Sequence, residues 1–342
     1  MNQTMKDNTV DNKTKLAEMS YAYVLSRAIH VAATLGIADH LVQGPKSANE
    51  LAISVGAEPQ PLYRLLRTLA SHGIFLEEQD NLFALTPLAQ LLVTSNPDSL
   101  RLLLMKEDES RWNAYGDLLY SIKTGKPAFN HHYGIGYFDY IAKNQLLSQS
   151  FDLGMANLSA KEDGLIANSF DFSTYHSIVD LGGGIGSLLA EILKKNPSSH
   201  GVVYELIHLK DRVEAFLQEQ DLSLRAKFAS GSFFQSIPGN SDLYMLKRIL
   251  HDWDDQSCIS ILKNCQKAMM PKSRLLIIDA VMPEGNIPHE SKDFDLFMLA
   301  LFGGQERTQN EWRRLLDASN LRLIHIWPTP SSLAIIEAQP VI

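Results

Sequence analysis

The residues with the greatest chemical capacity lie in the second half of this 342-residue chain. Asp180-Leu-Gly-Gly-Gly-Ile-Gly186 follows an apolar run and opens a helical one. In that setting a glycine-rich turn lets a ligand approach backbone N–H groups closely. Glu205 ends the next apolar run, about 20 residues on, where an acidic side chain accepts both hydroxyls of an adenosine ribose. A second group follows. In Asp242-Leu-Tyr-Met-Leu-Lys247-Arg-Ile-Leu-His251-Asp252-Trp253 a strand runs out into an imidazole, Asp279 ends the next strand, and Glu306 follows Gly303-Gly304. One imidazole with two carboxylates suits removal of a hydroxyl proton. A phenol-like group has a pKa of about 10 and an ordinary histidine about 6.5, so transfer is uphill by roughly 5 kcal/mol. A carboxylate on the other ring nitrogen fixes the tautomer and stabilises the imidazolium.

The glycine spacing is G-x-G-x-G, and Ser187 stands where a third glycine of G-x-G-x-x-G would allow close helix approach at a pyrophosphate. A ligand without phosphate fits better. S-adenosylmethionine (SAM) combines adenosine, a sulfonium and an amino-acid tail, and Asp180 is placed for its ammonium end. In-line attack of an oxygen on the methyl group then needs mainly positioning.

These groups need a sheet to align them. From Tyr175 onward strands and helices alternate: strands Ser177–Leu181, His200–Glu205, Lys227–Ser230, Asp242–Lys247 and Arg274–Asp279, with helices Ser187–Lys195, Lys210–Gln218 and Gln256–Met269 between them. This predicts a doubly wound parallel α/β sheet with its ligands at the carboxyl ends of the strands. A helix Gln309–Ser319, opened by the capping box Thr308 with Glu311, and a final hairpin, Leu321–Trp327 with Leu333–Ala338, add an antiparallel strand.

Upstream, residues 1–15 are polar and expected to be disordered. The run Leu16–Val42 is helical with more than one apolar stripe, which asks for two partners, one of them a second subunit. Ser47 to Leu92 reads as helix, turn, helix and hairpin, a winged-helix outline. Residues 16–110 are expected to form this domain, 111–172 an aromatic-rich helical connector contributing to an acceptor pocket, and 173–342 the catalytic domain. Flat apolar surfaces suit an aromatic acceptor, and the connector holds Trp112.

At these motifs the chain resembles the SAM-dependent O-methyltransferases of the plant caffeic acid type and their bacterial small-molecule relatives. The likeness spans nearly everything after Leu16 and rests on Asp180–Gly186, Leu250-His251-Asp252-Trp253 and Gly303-Gly304-Gln-Glu306-Arg307-Thr308. It implies His251 as general base flanked by Asp279 and Glu306. Around the cofactor it implies Asp180, Gly182, Gly184, Gly186, Glu205, Ser232, Phe233, Lys247 and Trp253. Met155, in Phe151-Asp-Leu-Gly-Met155-Ala-Asn157, is implied to pack on the acceptor; Asn157 of the same segment and Trp112 of the aromatic connector are expected to face it too. It also implies a homodimer through the N-terminal domain, each subunit helping to close the other's pocket. Two positions depart from the pattern. Gly231-Ser232-Phe233-Phe234 stands where relatives commonly have Gly-Asp-Phe-Phe, which implies an altered adenine contact. Asp279 stands where plant members commonly carry glutamate, which shortens its reach to His251.

Other classes are disfavoured. A net charge of −8 argues against nucleic acid and anionic lipid, and the wing tip Glu77-Glu78-Gln79-Asp80 is negative where a DNA-binding wing would meet phosphate. No apolar run approaches the roughly 20 residues of a membrane span, and the N-terminus lacks a signal-peptide layout, so a cytoplasmic protein is expected. Cys258 and Cys265 share a helix about 10 Å apart, beyond disulfide reach. No compact carboxylate cluster suggests a magnesium site, so no metal is expected. The rival readings are a SAM-binding relative that catalyses hydroxylation, decarboxylation or a pericyclic step, and a winged-helix DNA-binding regulator.

Overall fold

A computed structural model describes residues 11–105 and 109–341; the side chains of 145, 146, 149–153, 156–158, 160 and 161 lie outside the description. The chain divides into two units, Met1–Asp108 and Glu109–Ile342.

In the first unit the expected helical run is broken into Asn12–Ser20, Ala22–Leu35 and Ile37–His40, with Gly36 in the left-handed conformation between the last two. Residues 12–15, expected to be disordered, open an exposed helix, and residues 1–10 lie outside the description. The winged-helix outline is present. Ser47 and Glu50 form a capping box on helix Ala48–Val55, helix Pro59–Ser71 buries Leu62, Leu66 and Leu69, and Phe75–Glu77 pairs with Leu82–Leu85. Lys46–Ser47 adds a third short strand.

The second unit begins with short helices, Glu109–Gly116, Leu118–Thr124, Ala128–Tyr133 and Tyr137–Ala142, gathered where Phe129 meets the rings of Tyr133, Tyr137 and Tyr140. A 25-residue helix, α1 (Gln145–Ser169), leads into the sheet. The strands are β1 (Ser177–Leu181), β2 (His200–Glu205), β3 (Ala226–Ser230), β4 (Leu243–Lys247), β5 (Arg274–Asp279), β6 (Leu321–Pro328) and β7 (Ala334–Pro340). Their order is β6-β7-β5-β4-β1-β2-β3. The five strands from β5 to β3 in this order are parallel, and β7 enters antiparallel between β5 and β6. Helices α2 (Ser187–Lys195), α3 (Lys210–Glu219), α4 (Asp255–Ala268), α5 (Glu290–Leu301) and α6 (Gln309–Asp317) complete the unit.

The central strands read as continuous apolar runs because helices cover both faces: Leu243 to Leu246 and Leu275 to Ile278 are wholly buried. The strand order reverses between β1 and β4, the position where open α/β sheets bind ligands. The glycine turn leaves β1 there, and the His251 segment leaves β4 beside it.

Helix α6 begins at the expected capping box, with the Thr308 hydroxyl accepting from Glu311 N–H and the Glu311 carboxylate accepting from Thr308 N–H at 2.8 Å. Thr308→Ala is expected to cost about 1 kcal/mol of stability, measured as a lower urea midpoint at unchanged slope.

Candidate active site

The glycine turn is built by backbone shape. Gly182, Gly184 and Gly186 have φ of 68°, 57° and 87°, a left-handed region that favours glycine. A Cβ on Gly182 would lie 2.5 Å from Ile249, and one on Gly186 would lie 2.6 Å from Val203. Gly186 therefore supplies the close helix–strand approach that the sequence spacing assigned to no residue. A Cβ on Gly184 would meet nothing within 4 Å, so this side of the turn is open to a ligand.

Beneath the turn lies Asp180, almost wholly buried, with Oδ2 lacking a hydrogen-bond partner. Burial first, and the negative charge of Asp163 next, push its carboxyl up to about 7 against the pull of Lys247. A buried acceptor with no donor is costly, and the ammonium of an amino-acid tail would relieve that cost. Glu205 ends β2, half-buried and within electrostatic range of Asp180. The residues present thus fit an adenosine-bearing amino acid.

The residues expected around the ligand also contact other parts of the chain. The Lys247 ammonium is bound by Asp163 of α1, and the Ser187 hydroxyl donates to the same carboxylate at 2.5 Å. Next to them Arg248, at φ 53°, makes a two-point contact with Glu162 at 2.6 and 3.2 Å. Ser232 accepts from Phe234 N–H at 3.3 Å, so its hydroxyl serves the local turn. Phe233 packs beside Gly182 and Phe234, and Phe234 meets Trp253 edge-on at 4.9 Å.

Three of the expected residues meet at the neighbouring strand end. His251 is buried, and its Nδ1 lies 2.8 Å from Glu306 Oε1. Asp279 Oδ1 is 3.7 Å from the same nitrogen, outside hydrogen-bond range, so the shorter side chain acts by charge while Glu306 makes the bond. Sequence reasoning missed Asp252, whose Oδ1 lies 3.7 Å from Nε2; its only signal was adjacency to His251. It also missed Asp295, which accepts from Glu306 N–H at 2.8 Å. Burial disfavours a charged ring, but Asp279 and Asp252 by charge and Glu306 by its hydrogen bond outweigh it and push His251 up to about 9. Desolvation raises the Asp279 carboxyl in turn, opposed by His251, and takes Asp252 to about 6.

Trp112 and Met155 are half-buried on helix Glu109–Gly116 and on α1. The side chains of Phe151 and Asn157 lie outside the described residues. Phe294 on α5 is close to the site, its ring 6.1 Å from that of His251 and 5.5 Å from that of Phe297.

Comparison with known proteins identifies the family. Residues 115–321 match the model of the O-methyltransferase domain and residues 17–95 that of the O-methyltransferase dimerisation domain. The chain is 37% identical to the phenazine O-methyltransferase PhzM of Lysobacter antibioticus, covering 100% of both chains. It is similar to the solved mitomycin 7-O-methyltransferase MmcR, with TM-score 0.89, 34% identity, and 96% of this chain and 97% of that one covered. It also resembles NcsB1, an O-methyltransferase from neocarzinostatin biosynthesis solved with SAM and 2-hydroxy-5-methyl naphthoic acid, with TM-score 0.84 and 32% identity over 92% of this chain and 96% of that one.

Two measurements test these electrostatics. In the cofactor-free protein the His251 ring is expected to titrate near 9 by NMR, and Asp279→Asn to bring it down; an unchanged titration would remove Asp279 from the site's charge balance. The raised Asp180 carboxyl binds its proton more tightly in the folded state, so stability falls as pH rises from about 4 through about 7. Asp180→Asn is therefore expected to raise the melting temperature at pH 8 while weakening SAM binding, read by calorimetry.

Proposed function

Since the chain belongs to the SAM-dependent O-methyltransferases, we propose that His251 is the general base that frees a phenolic hydroxyl of a small fused-ring metabolite for methylation. The carrying observation is the 2.8 Å contact between His251 Nδ1 and Glu306. With Nδ1–H donating to the carboxylate, Nε2 presents the lone pair that takes the acceptor's proton. Asp279 stabilises the resulting imidazolium. A ring pushed up to about 9 lies about one unit below a phenol, so the transfer itself is uphill by roughly 1.4 kcal/mol. The same shift keeps the ring protonated at neutral pH, so the reaction is expected to accelerate with pH on its acid limb.

SAM supplies, when bound, a methyl group on a positively charged sulfur. Asp180, the turn at Gly182, Gly184 and Gly186, and Glu205 would hold it, bordered by Ser232, Phe233, Lys247 and Trp253. Phe294 and Phe297 offer a flat apolar surface beside His251, which supports an aromatic acceptor. The phenazine and naphthoic acid named for two relatives support fused rings. Met155 is assigned to the acceptor side on the family resemblance, with Asn157 in the same segment, and Trp112 on its place in the aromatic-rich connector. The dimerisation-domain match supports a homodimer. Among the described residues no helix is long and apolar enough to cross a membrane. The two free, buried cysteines support a cytoplasmic setting, and the acidic wing tip supports a role apart from nucleic acid.

The test is transfer of label from methyl-labelled SAM to a panel of hydroxylated fused-ring aromatics. His251→Ala is expected to lower turnover by roughly 10²–10⁴ with SAM affinity nearly intact; wild-type turnover in that variant would refute the assignment. Tight SAM binding with no transfer to any acceptor would favour a non-methylating reaction.

A further inference from the structure

Arg307 follows Glu306 and has no part in the chemistry above, yet it is fully buried. A guanidinium removed from water needs hydrogen bonds and opposite charge to offset its lost hydration, so the destinations of its donors are informative. Nη1 donates to the carbonyls of Leu250 at 3.0 Å and Gln305 at 3.3 Å. Nη2 donates to the carbonyl of Trp253 at 3.0 Å. Nη2 and Nε reach Asp255 Oδ1 at 2.8 and 3.1 Å, and the guanidinium lies 5.3 Å from the centre of the Trp312 ring. Leu250 precedes His251 and Trp253 follows Asp252, so the planar fork grips both ends of the short turn Leu250–Asp252 that presents the base.

The backbone converges on the same residue. Arg307 pairs in parallel with Val281, two positions beyond Asp279. Gln305 N–H donates to the carbonyl of His251 at 3.0 Å. The chain at Gly304 passes so close that a Cβ there would lie 2.0 Å from that carbonyl oxygen. Three segments, carrying His251, Asp279 and Glu306, are thus joined through one side chain and its flanking peptide groups.

We propose that Arg307 is a positioning residue, which holds the His251 turn and the Glu306 segment in the register where Nδ1 meets the glutamate carboxylate. The inference rests on the reading of His251 as general base. A lysine keeps the charge but lacks the fork that bonds both carbonyls and Asp255 together.

The test compares Arg307→Lys and Asp255→Asn with the wild type at saturating SAM. Asp255 is 60% exposed, so its replacement spares the core. Arg307→Lys is expected to lose kcat on the order of 10²-fold, as for a small misplacement of a catalytic group, with acceptor KM and SAM affinity little changed. Its His251 ring should titrate lower, towards the ordinary 6.5. Asp255→Asn should shift both in the same direction by less. A folded Arg307→Lys protein with wild-type kcat and unchanged His251 titration overturns the proposal, as does a loss confined to melting temperature. If Arg307→Lys fails to fold, wild-type kcat and titration in Asp255→Asn overturn it. His251→Ala separates the two readings. An inactive His251→Ala beside fully active Arg307→Lys and Asp255→Asn defeats this inference alone. An active His251→Ala defeats the general-base reading, and the ring titration then decides Arg307 by itself.

Discussion

The site depends on a single buried imidazole held among carboxylates. His251 could not carry charge in the interior unaided, because burial favours its neutral form. Asp252, Asp279 and Glu306 reverse that preference, and they come from the turn after β4, the end of β5 and the loop before α6. Their gathering also works against them. Desolvation first, and the negative charge of Glu306 next, raise the carboxyls of Asp279 and Asp252. The arrangement is tolerable because a cationic ring lies at its centre and Arg248, tied to Glu162, adds a further positive charge in range.

The cofactor side uses the same logic with the opposite deficit. Asp180 is a buried acceptor without a donor, an unfavourable arrangement in an empty protein and a favourable one beneath an ammonium group. Such costs are sustained by the two apolar clusters that clad the sheet: Leu188, Leu189, Val203 and Ile278 belong to one, Leu246, Leu275, Ile277 and Trp312 to the other. Packing provides the stability, and the rim spends part of it on polar groups poised for ligands.

Helix α1 is tied to the rim at two points. Its adjacent acids Glu162 and Asp163 engage the adjacent bases Arg248 and Lys247 at the end of β4. The helix that carries Met155 is thereby fastened to the strand end that leads to His251. Glu306 has taken the hydrogen bond that a longer side chain at position 279 would contest, and Asp279 is left to act through its charge.

Much of this was legible in the sequence. Apolar runs bounded by turn residues located β1, β2, β5 and α2 to the residue, and the Thr308–Glu311 capping box marked the start of α6, because strand burial and helix capping are local properties of the chain. Asp180, His251 and Asp279 could be nominated because each stands at or just beyond the end of a strand-forming apolar run, and in a parallel sheet those ends share one edge; Glu306 was nominated because it follows Gly303-Gly304 in a loop that returns there. What remained was non-local. The insertion of β7 between β5 and β6, the capture of Lys247 by Asp163, the contact of Asp252 with Nε2 and the choice of Glu306 over Asp279 for Nδ1 each join residues remote in sequence or depend on side-chain reach of less than an ångström. Hydrophobic periodicity encodes which elements form and which face is buried. Only the packed structure decides which charges, once deprived of water, must find one another.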